Sequence, residues 1–399
     1  MRILFVSDVY FPRVNGVSSS IRTFRRELLA LGHEVWLIAP DYGRREEGEE
    51  WIFRIPSRVV PFDREDRLMS RRAILRLLPE LRRLRPDLVH IQTPFVAHYA
   101  GLRLARALGT PVLLSYHTYF EAYLHHYLPA VPRPWLAGLV RRFSRRQCAQ
   151  VDGVVTPTST FAEVLQDYGI TTPLHIIPTG IDLGRFQGGD GERFRQVHGI
   201  PAGRRVVLYV GRLAFEKNID FLLEVVAALR RRYPELLFVM AGEGPARPHL
   251  ERQAARLGIA EGVHFVGNLH RLPDLLDAYC GAELLLFASR TETQGLVLLE
   301  AMALGVPVVS TRQLGTRDVL QAGSGALVAP EEVAAFSAAV CSLLDDEGQR
   351  QRLARTGLEY VRQWSAEAMA RRMAAVYAGL LERRRVGAFA AWRMGEEEA

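Results

Sequence analysis

Short apolar runs rich in β-branched residues recur along the whole chain, separated by longer stretches with helical periodicity. In the first half they read ILFVS, EVWLIAP, LVHIQ, PVLLSYH, GVVTPT and LHIIPT. In the second half they read VVLYVG, LLFVMAG, VHFVG, LLLFAS and PVVST. Runs without apolar–polar alternation predict strands covered on both faces, the habit of parallel sheets. Amphipathic segments such as Ser18 to Leu31 and Arg71 to Leu84 supply the covering helices. Two such series predict an α/β protein of two Rossmann-like, doubly wound domains. The Gly- and Asp-rich segment from Pro178 to Glu192 is the expected hinge, and helical character continues to about Arg385 before a polar tail, 386–399.

Composition adds limits. A chain of 399 residues with 48% hydrophobic content suits two or three ordinary globular cores. No apolar run reaches the ~18 residues of a membrane span, and MRILFVSDVYFP reads as a first strand, not a signal peptide. Cys148, Cys280 and Cys341 are scattered, which predicts neither a disulfide framework nor a zinc site. A cytoplasmic protein is the expectation.

Charge is unevenly placed. The whole excess of +7 lies in residues 1–180, where 24 arginines face 17 acidic residues. Arg141, Arg142, Arg145 and Arg146 share one broad helix face beside Trp135, Leu136, Leu139, Val140 and Phe143. That face suits an anionic membrane surface, on the inner side of the plasma membrane, and suits plain solvation equally well. No nucleic-acid-binding motif accompanies the charge, so nucleic acid is not an expected partner.

Among 51 basic residues a single lysine survives, Lys217 in GRLAFEKN, five residues after Arg212. Both follow the run VVLYVG, so they occupy the loop at the carboxyl end of a parallel strand, where open α/β sheets bind ligands. A compact ammonium differs from a planar guanidinium wherever a site is tight, and two cations there call for an anionic guest. A second constellation is SRTETQGLVLLEAMALGVPVVS, Ser289 to Ser310. Its helix begins near Gly295 and Leu296, where exposed N–H groups suit a phosphate. Glu292 and Glu300 flank that start and would repel a diphosphate, so vicinal hydroxyls are their natural partners.

These residues, with DVYFPRVNGVSSSI, YHTYF, HIIPTGID and FVGN, resemble the family 4 retaining glycosyltransferases of the GT-B fold over residues 1 to about 385. The resemblance implies an acceptor-binding domain (1–182), a nucleotide-sugar domain (183–361) facing it across a cleft, and a helix (362–385) returning to the first domain. It implies that Gly16 lets the chain approach the donor phosphate, that His117 lies beside the transferred sugar, and that Arg212 and Lys217 hold the diphosphate. Glu292 would meet sugar hydroxyls, Gly295 and Leu296 would offer backbone N–H groups, Glu300 would bind ribose, and Val266 to Asn268 the base. Asp8, Tyr10 and Tyr119 are the acceptor-side candidates, Tyr119 within the aromatic group Tyr116, Tyr119, Phe120, Tyr123 and Tyr127. Gln294 departs from the family pattern, which often has Phe there. TETQG and YHTYFEAYLHHY look closest to glycolipid-forming members such as diacylglycerol glucosyltransferases and lipid mannosyltransferases.

The chain has no Asp-x-Asp pair to seat a metal, so no cofactor is expected and the donor is the only nucleotide required. Charge on the departing diphosphate then falls to Arg212, Lys217 and the helix start. His117, His125 and His126 match no common zinc spacing. No GxxxxGK[ST] and no GxGxxG after the first strand occurs, which argues against ATPase and NAD enzymes. A nucleotide-sugar epimerase on the same fold, or a non-catalytic sugar-nucleotide sensor, remain the alternatives to transfer onto a lipid or saccharide acceptor.

Overall fold

The computed structural model describes residues 1–43, 51–60, 63–119, 121, 132–269 and 272–397. The chain divides into two compact units: Met1–Thr118 with Pro134–Gly180 and Ala366–Ala399, and Ile181–Ser365 with Tyr119–Arg133. The break at Gly180/Ile181 falls just before the expected 182/183.

In the first unit the strands are β1 (Arg2–Val6), β2 (Glu34–Pro40), β3 (Ile52–Ile55), the hairpin β4 (Ser57–Val60) and β5 (Asp63–Met69), then β6 (Leu88–Ile91), β7 (Val112–Ser115), β8 (Gly153–Thr156) and β9 (Leu174–Ile176). Seven of them form a parallel sheet in the order β3-β2-β1-β6-β7-β8-β9. The second unit holds β10 (Val206–Val210), β11 (Leu237–Ala241), β12 (Val263–Gly267), β13 (Leu284–Phe287), β14 (Val308–Ser310) and β15 (Ala326–Val328). They order as β12-β11-β10-β13-β14-β15, the Rossmann arrangement. All the apolar runs singled out above are strands. β3, β15 and the β4–β5 hairpin escaped because they are short and carry exposed or charged positions.

The helix expected over Arg71 to Leu84 is two, Arg71–Arg76 and Leu78–Leu84. Pro79 has no N–H to continue the ladder, so it opens the second helix instead. The closing helix spans Ala366–Glu397, beyond Arg385, because Ala, Arg, Met and Glu in that stretch are good helix formers. Its residues Met369, Ala370, Met373, Tyr377 and Leu380 recur at helical spacing and join the core of the first unit. There His90 of β6 is pinned from both sides, its Nδ1 2.7 Å from the Tyr377 hydroxyl and its Nε2 2.9 Å from Ser115 Oγ. Burial pushes its pKa down to about 3, so a neutral imidazole bridges sheet and helix. No helix among the described residues is long and apolar enough to cross a membrane.

Candidate active site

The strand order of the second sheet reverses between β10 and β13, which lie side by side in register at Val207↔Leu284 and Leu208↔Leu285. The loops leaving these two strands therefore open at the switch point, the usual ligand crevice. The first carries Arg212, then a 3-10 turn Phe215–Lys217, then Asn218 in the left-handed region that asparagine tolerates, with φ 56°. Asn218 Nδ2 donates to Ala288 O at 3.2 Å, tying this loop to the end of β13. The result is a direct ion pair, Lys217 Nζ to Glu292 Oε2 at 2.7 Å, with each side chain about one-fifth exposed at 21%. Beneath it the buried Tyr209 hydroxyl donates to Arg212 O at 3.2 Å. Burial, with Glu292 and Glu216 nearby, drives that phenol's pKa well above its ordinary value, so it remains a donor.

The second loop turns into the helix Leu296–Ala303 through Gly295, at φ 90°. Its N-cap, Gly295, has no side chain to cap the first N–H groups of this helix. Glu300, one turn in, is fixed by Tyr279, whose buried hydroxyl donates to its Oε2 at 2.8 Å. Gly315 packs against the same loop: its N–H donates to Glu292 O at 2.9 Å, and a Cβ there would lie 2.0 Å from Thr293 O. Glu331 joins the surrounding loops, accepting from Arg290 Nε at 2.9 Å and Gln313 Nε2 at 2.8 Å. The Arg290 hydrogen bond, first among the causes, holds the Glu331 carboxyl below its usual range. Tyr279, Gly315 and Glu331 had no motif to announce them, because each acts through a partner distant in sequence. Gln294 is buried in this loop.

Val266 is half-buried at the end of β12 and Asn268 exposed just beyond it. Gly267 O accepts from Gly242 N at 2.8 Å, which fixes this backbone edge to the loop that leaves β11. Arg247 lies 5.3 Å over the Phe265 ring alongside.

In the first unit, His117 follows β7, half-buried, with Nε2 3.5 Å from Gln92 Oε1. Loss of hydration pushes its pKa down to about 4, so it is neutral at pH 7. Asp8 ends β1 and is turned inward. Its carboxylate accepts from Thr93 Oγ1 at 2.8 Å, Phe95 N at 3.2 Å and Ala97 N at 3.0 Å, capping the helix Val96–Leu108. Burial raises its pKa to about 6 against the pull of these donors. Tyr10 is buried edge-on against Phe11, with ring centroids 5.3 Å apart. Asp8 and Tyr10 are thus both buried, and Tyr119, which belongs to the second unit, is half-buried. Gly16 is exposed at the start of the helix Gly16–Ala30 and has open space where a Cβ would stand. Phe120, Tyr123, His125, His126 and Tyr127 lie outside the described residues.

The basic helix spans Arg133–Cys148. Of the apolar neighbours grouped with the basic face, Leu136 and Val140 are buried, whereas Trp135 is 79% and Leu139 63% exposed. The four arginines are not equivalent. Arg141 stacks 5.3 Å over Tyr168, and the Arg145 stem lies against Gly169. Arg142 and Arg146 follow Trp135 and Leu139 at helical spacing, so these four form one exposed stripe.

Two Rossmann-ordered units, the second with a cation–carboxylate cluster at its switch point, are the components of the GT-B fold. Residues 14–185 match the family model described as Glycosyltransferase Family 4, and residues 190–360 match Glycosyl transferases group 1. The chain is 35% identical over 318 residues to the alpha-monoglucosyldiacylglycerol synthase of Streptococcus pneumoniae, covering 78% of this chain and 71% of that protein. It is 30% identical over 367 residues to a GDP-mannose-dependent alpha-(1-6)-phosphatidylinositol dimannoside mannosyltransferase of Mycobacterium tuberculosis, covering 90% and 92%. Sucrose-phosphate synthase from Thermosynechococcus elongatus shares the fold, with TM-score 0.76 at 20% identity over 96% of this chain and all of that one. The protein belongs to this glycosyltransferase family.

Proposed function

We propose that the protein moves a hexose, with retention at C1, from a nucleoside diphosphate hexose to a membrane lipid, without a divalent metal, at the cytoplasmic face of an anionic membrane. The observation that carries this reading is the Lys217–Glu292 pair near the helix start at Gly295, whose N-cap has no side chain. Lys217 and Arg212 neutralise the departing diphosphate, and the N–H groups after Gly295 add a fixed partial positive charge. Glu292, already on Lys217, holds the ammonium in place and offers its other oxygen to sugar hydroxyls. Glu300 takes the ribose, Val266 to Asn268 the base, and neutral His117 a sugar hydroxyl. The open space at Gly16 supports a close approach by the donor phosphate, since the fold itself asks for no glycine there. The transferase relatives favour transfer over epimerisation or sensing.

The lipid acceptor and the membrane rest on those relatives' names and on the stripe Trp135, Leu139, Arg142 and Arg146. Apolar tips with cations suit an interface, at about 1 kcal/mol per arginine near an anionic surface. Labelled UDP-glucose and GDP-mannose, incubated separately with phosphatidylglycerol vesicles containing diacylglycerol, should place label in the lipid phase with one donor. Changing Trp135 and Leu139 to Ser, with Arg142 and Arg146 to Gln, should lower transfer to vesicles and spare transfer to a short-chain diacylglycerol in solution. Isomerised donor without lipid product would support the epimerase. Equal loss with both acceptors would remove the membrane role of the stripe.

A further inference from the structure

β6 and β7 present a row of polar side chains to the closing helix, Ala366–Glu397. Alternate residues of a strand point to opposite faces. Ile91 of β6 packs against Gly101 of the helix Val96–Leu108, and Tyr116, just past β7, places its hydroxyl 2.5 Å from Ser144 Oγ of the basic helix. His90 and Gln92 on one strand, and Ser115 and His117 along the other, therefore share the opposite face, the one on which Tyr377 of the closing helix packs. The two strands run parallel with His90 level with Leu113, so the pairs His90–Ser115 and Gln92–His117 repeat one offset two residues apart.

His90 is the fixed point of this row. Its ring stands edge-on to Phe5, with centroids 5.1 Å apart, and to Tyr377 at 5.6 Å, and both its nitrogens are taken. Ser115, whose Oγ lies 2.9 Å from His90 Nε2, ends β7 and leads the chain into His117 two residues later. There Nε2 of the neutral His117 ring lies 3.5 Å from Gln92 Oε1, an acceptor, so this nitrogen carries the ring proton. Gln92 is itself buried. Met369, Ala370, Met373 and Leu380 supply an apolar face that docks the closing helix without the Tyr377 hydroxyl. A buried hydroxyl–imidazole pair adds little net stability over apolar packing of the same shape; what it adds is a fixed direction.

We propose that Tyr377, His90 and Gln92 are positioning residues for His117: the closing helix holds His90, His90 holds the end of β7, and Gln92 fixes which nitrogen of the His117 ring bears the proton. They act through His117 and not on substrate. That a correctly held His117 serves sugar transfer rests on the transferase reading; the positioning itself does not. The closing helix is then part of the site's support as well as of the unit's core.

The test is nuclear magnetic resonance of the full chain carrying nitrogen-15 histidine at pH 7, with the His117 signals identified by their loss in His117→Gln. The parent should show one His117 tautomer, protonated at Nε2. Gln92→Met, of similar shape, should give a mixture of both tautomers. Tyr377→Phe, which keeps the ring, should move the His117 signals the same way to a smaller extent. In transfer from UDP-glucose or GDP-mannose to diacylglycerol, Tyr377→Phe should lower kcat about fivefold, the scale of one hydrogen bond, and leave the donor KM unchanged. Added to His117→Ala it should cost nothing more, because its effect passes through that ring. Shifted signals beside a fully active His117→Ala enzyme would keep the positioning network and remove His117 from the transfer. Unmoved His117 signals in both variants, or a Tyr377→Phe loss as large in His117→Ala as in the parent, would overturn the proposal.

Discussion

Lys217→Arg should lower the transfer rate at least roughly tenfold, about 1.4 kcal/mol of transition-state stabilisation, in a protein that uses arginine for every other cation. Lys217 Nζ sits 2.7 Å from Glu292 Oε2 on a loop held by Asn218. A guanidinium is longer and planar and cannot turn its donors into the same space. Nucleoside diphosphate binding should weaken less, since charge grows on the leaving group only during transfer. Lys217→Ala should cost about a hundredfold, because it removes the cation and leaves the partly buried Glu292 without its partner. A Lys217→Arg enzyme as fast as the parent, beside an impaired Lys217→Ala, would reduce the lysine's role to charge alone.

Gly315→Ala should damage the site through packing. Its new Cβ would lie 2.0 Å from Thr293 O and 2.2 Å from Thr293 C, so the Glu292–Gln294 loop must move. The hydrogen bond from Gly315 N to Glu292 O, now 2.9 Å, would go with it. Overpacking of this kind costs about 3 kcal/mol, roughly 6–12 °C in the melting of a unit this size. Nucleotide affinity should fall as well, because Glu292 and the helix start at Gly295 share the displaced loop. Gly16→Ala is the control: nothing stands within 4 Å of its Cβ, so melting should stay put while donor affinity drops. Parental melting and affinity in Gly315→Ala would show that the loop relaxes freely and that Gly315 has no positioning role.

The strands of both sheets were legible because doubly covered parallel strands write themselves as uninterrupted apolar runs. β3, β15 and the hairpin were not, since edge positions need no such run. Lys217 and Glu292 were legible as a pair of loops at strand ends; their contact, 75 residues apart in sequence, was not. Asp8 shows the opposite case. Its place after β1 suggests a ligand position, and only the fold shows its oxygens accepting from Phe95 N and Ala97 N at the start of the helix Val96–Leu108. Leu136 and Val140 were grouped with Trp135 by composition, and only packing separates the buried side of that helix from the exposed one. Glu331 is one acid among 44 until the fold sets Arg290 and Gln313 around it.

The central claim is that the cluster of Arg212, Lys217 and the Gly295 helix start binds a nucleoside diphosphate without a metal. Thermal denaturation in excess EDTA, with UDP, GDP or ADP added in turn, tests it most directly. A ligand at ~100 times its Kd stabilises by ~2.7 kcal/mol, so one of the three should raise the melting temperature of the parent and raise that of Lys217→Ala much less. No shift with any of them, or a shift that appears only when Mg²⁺ or Mn²⁺ is restored, would contradict the account.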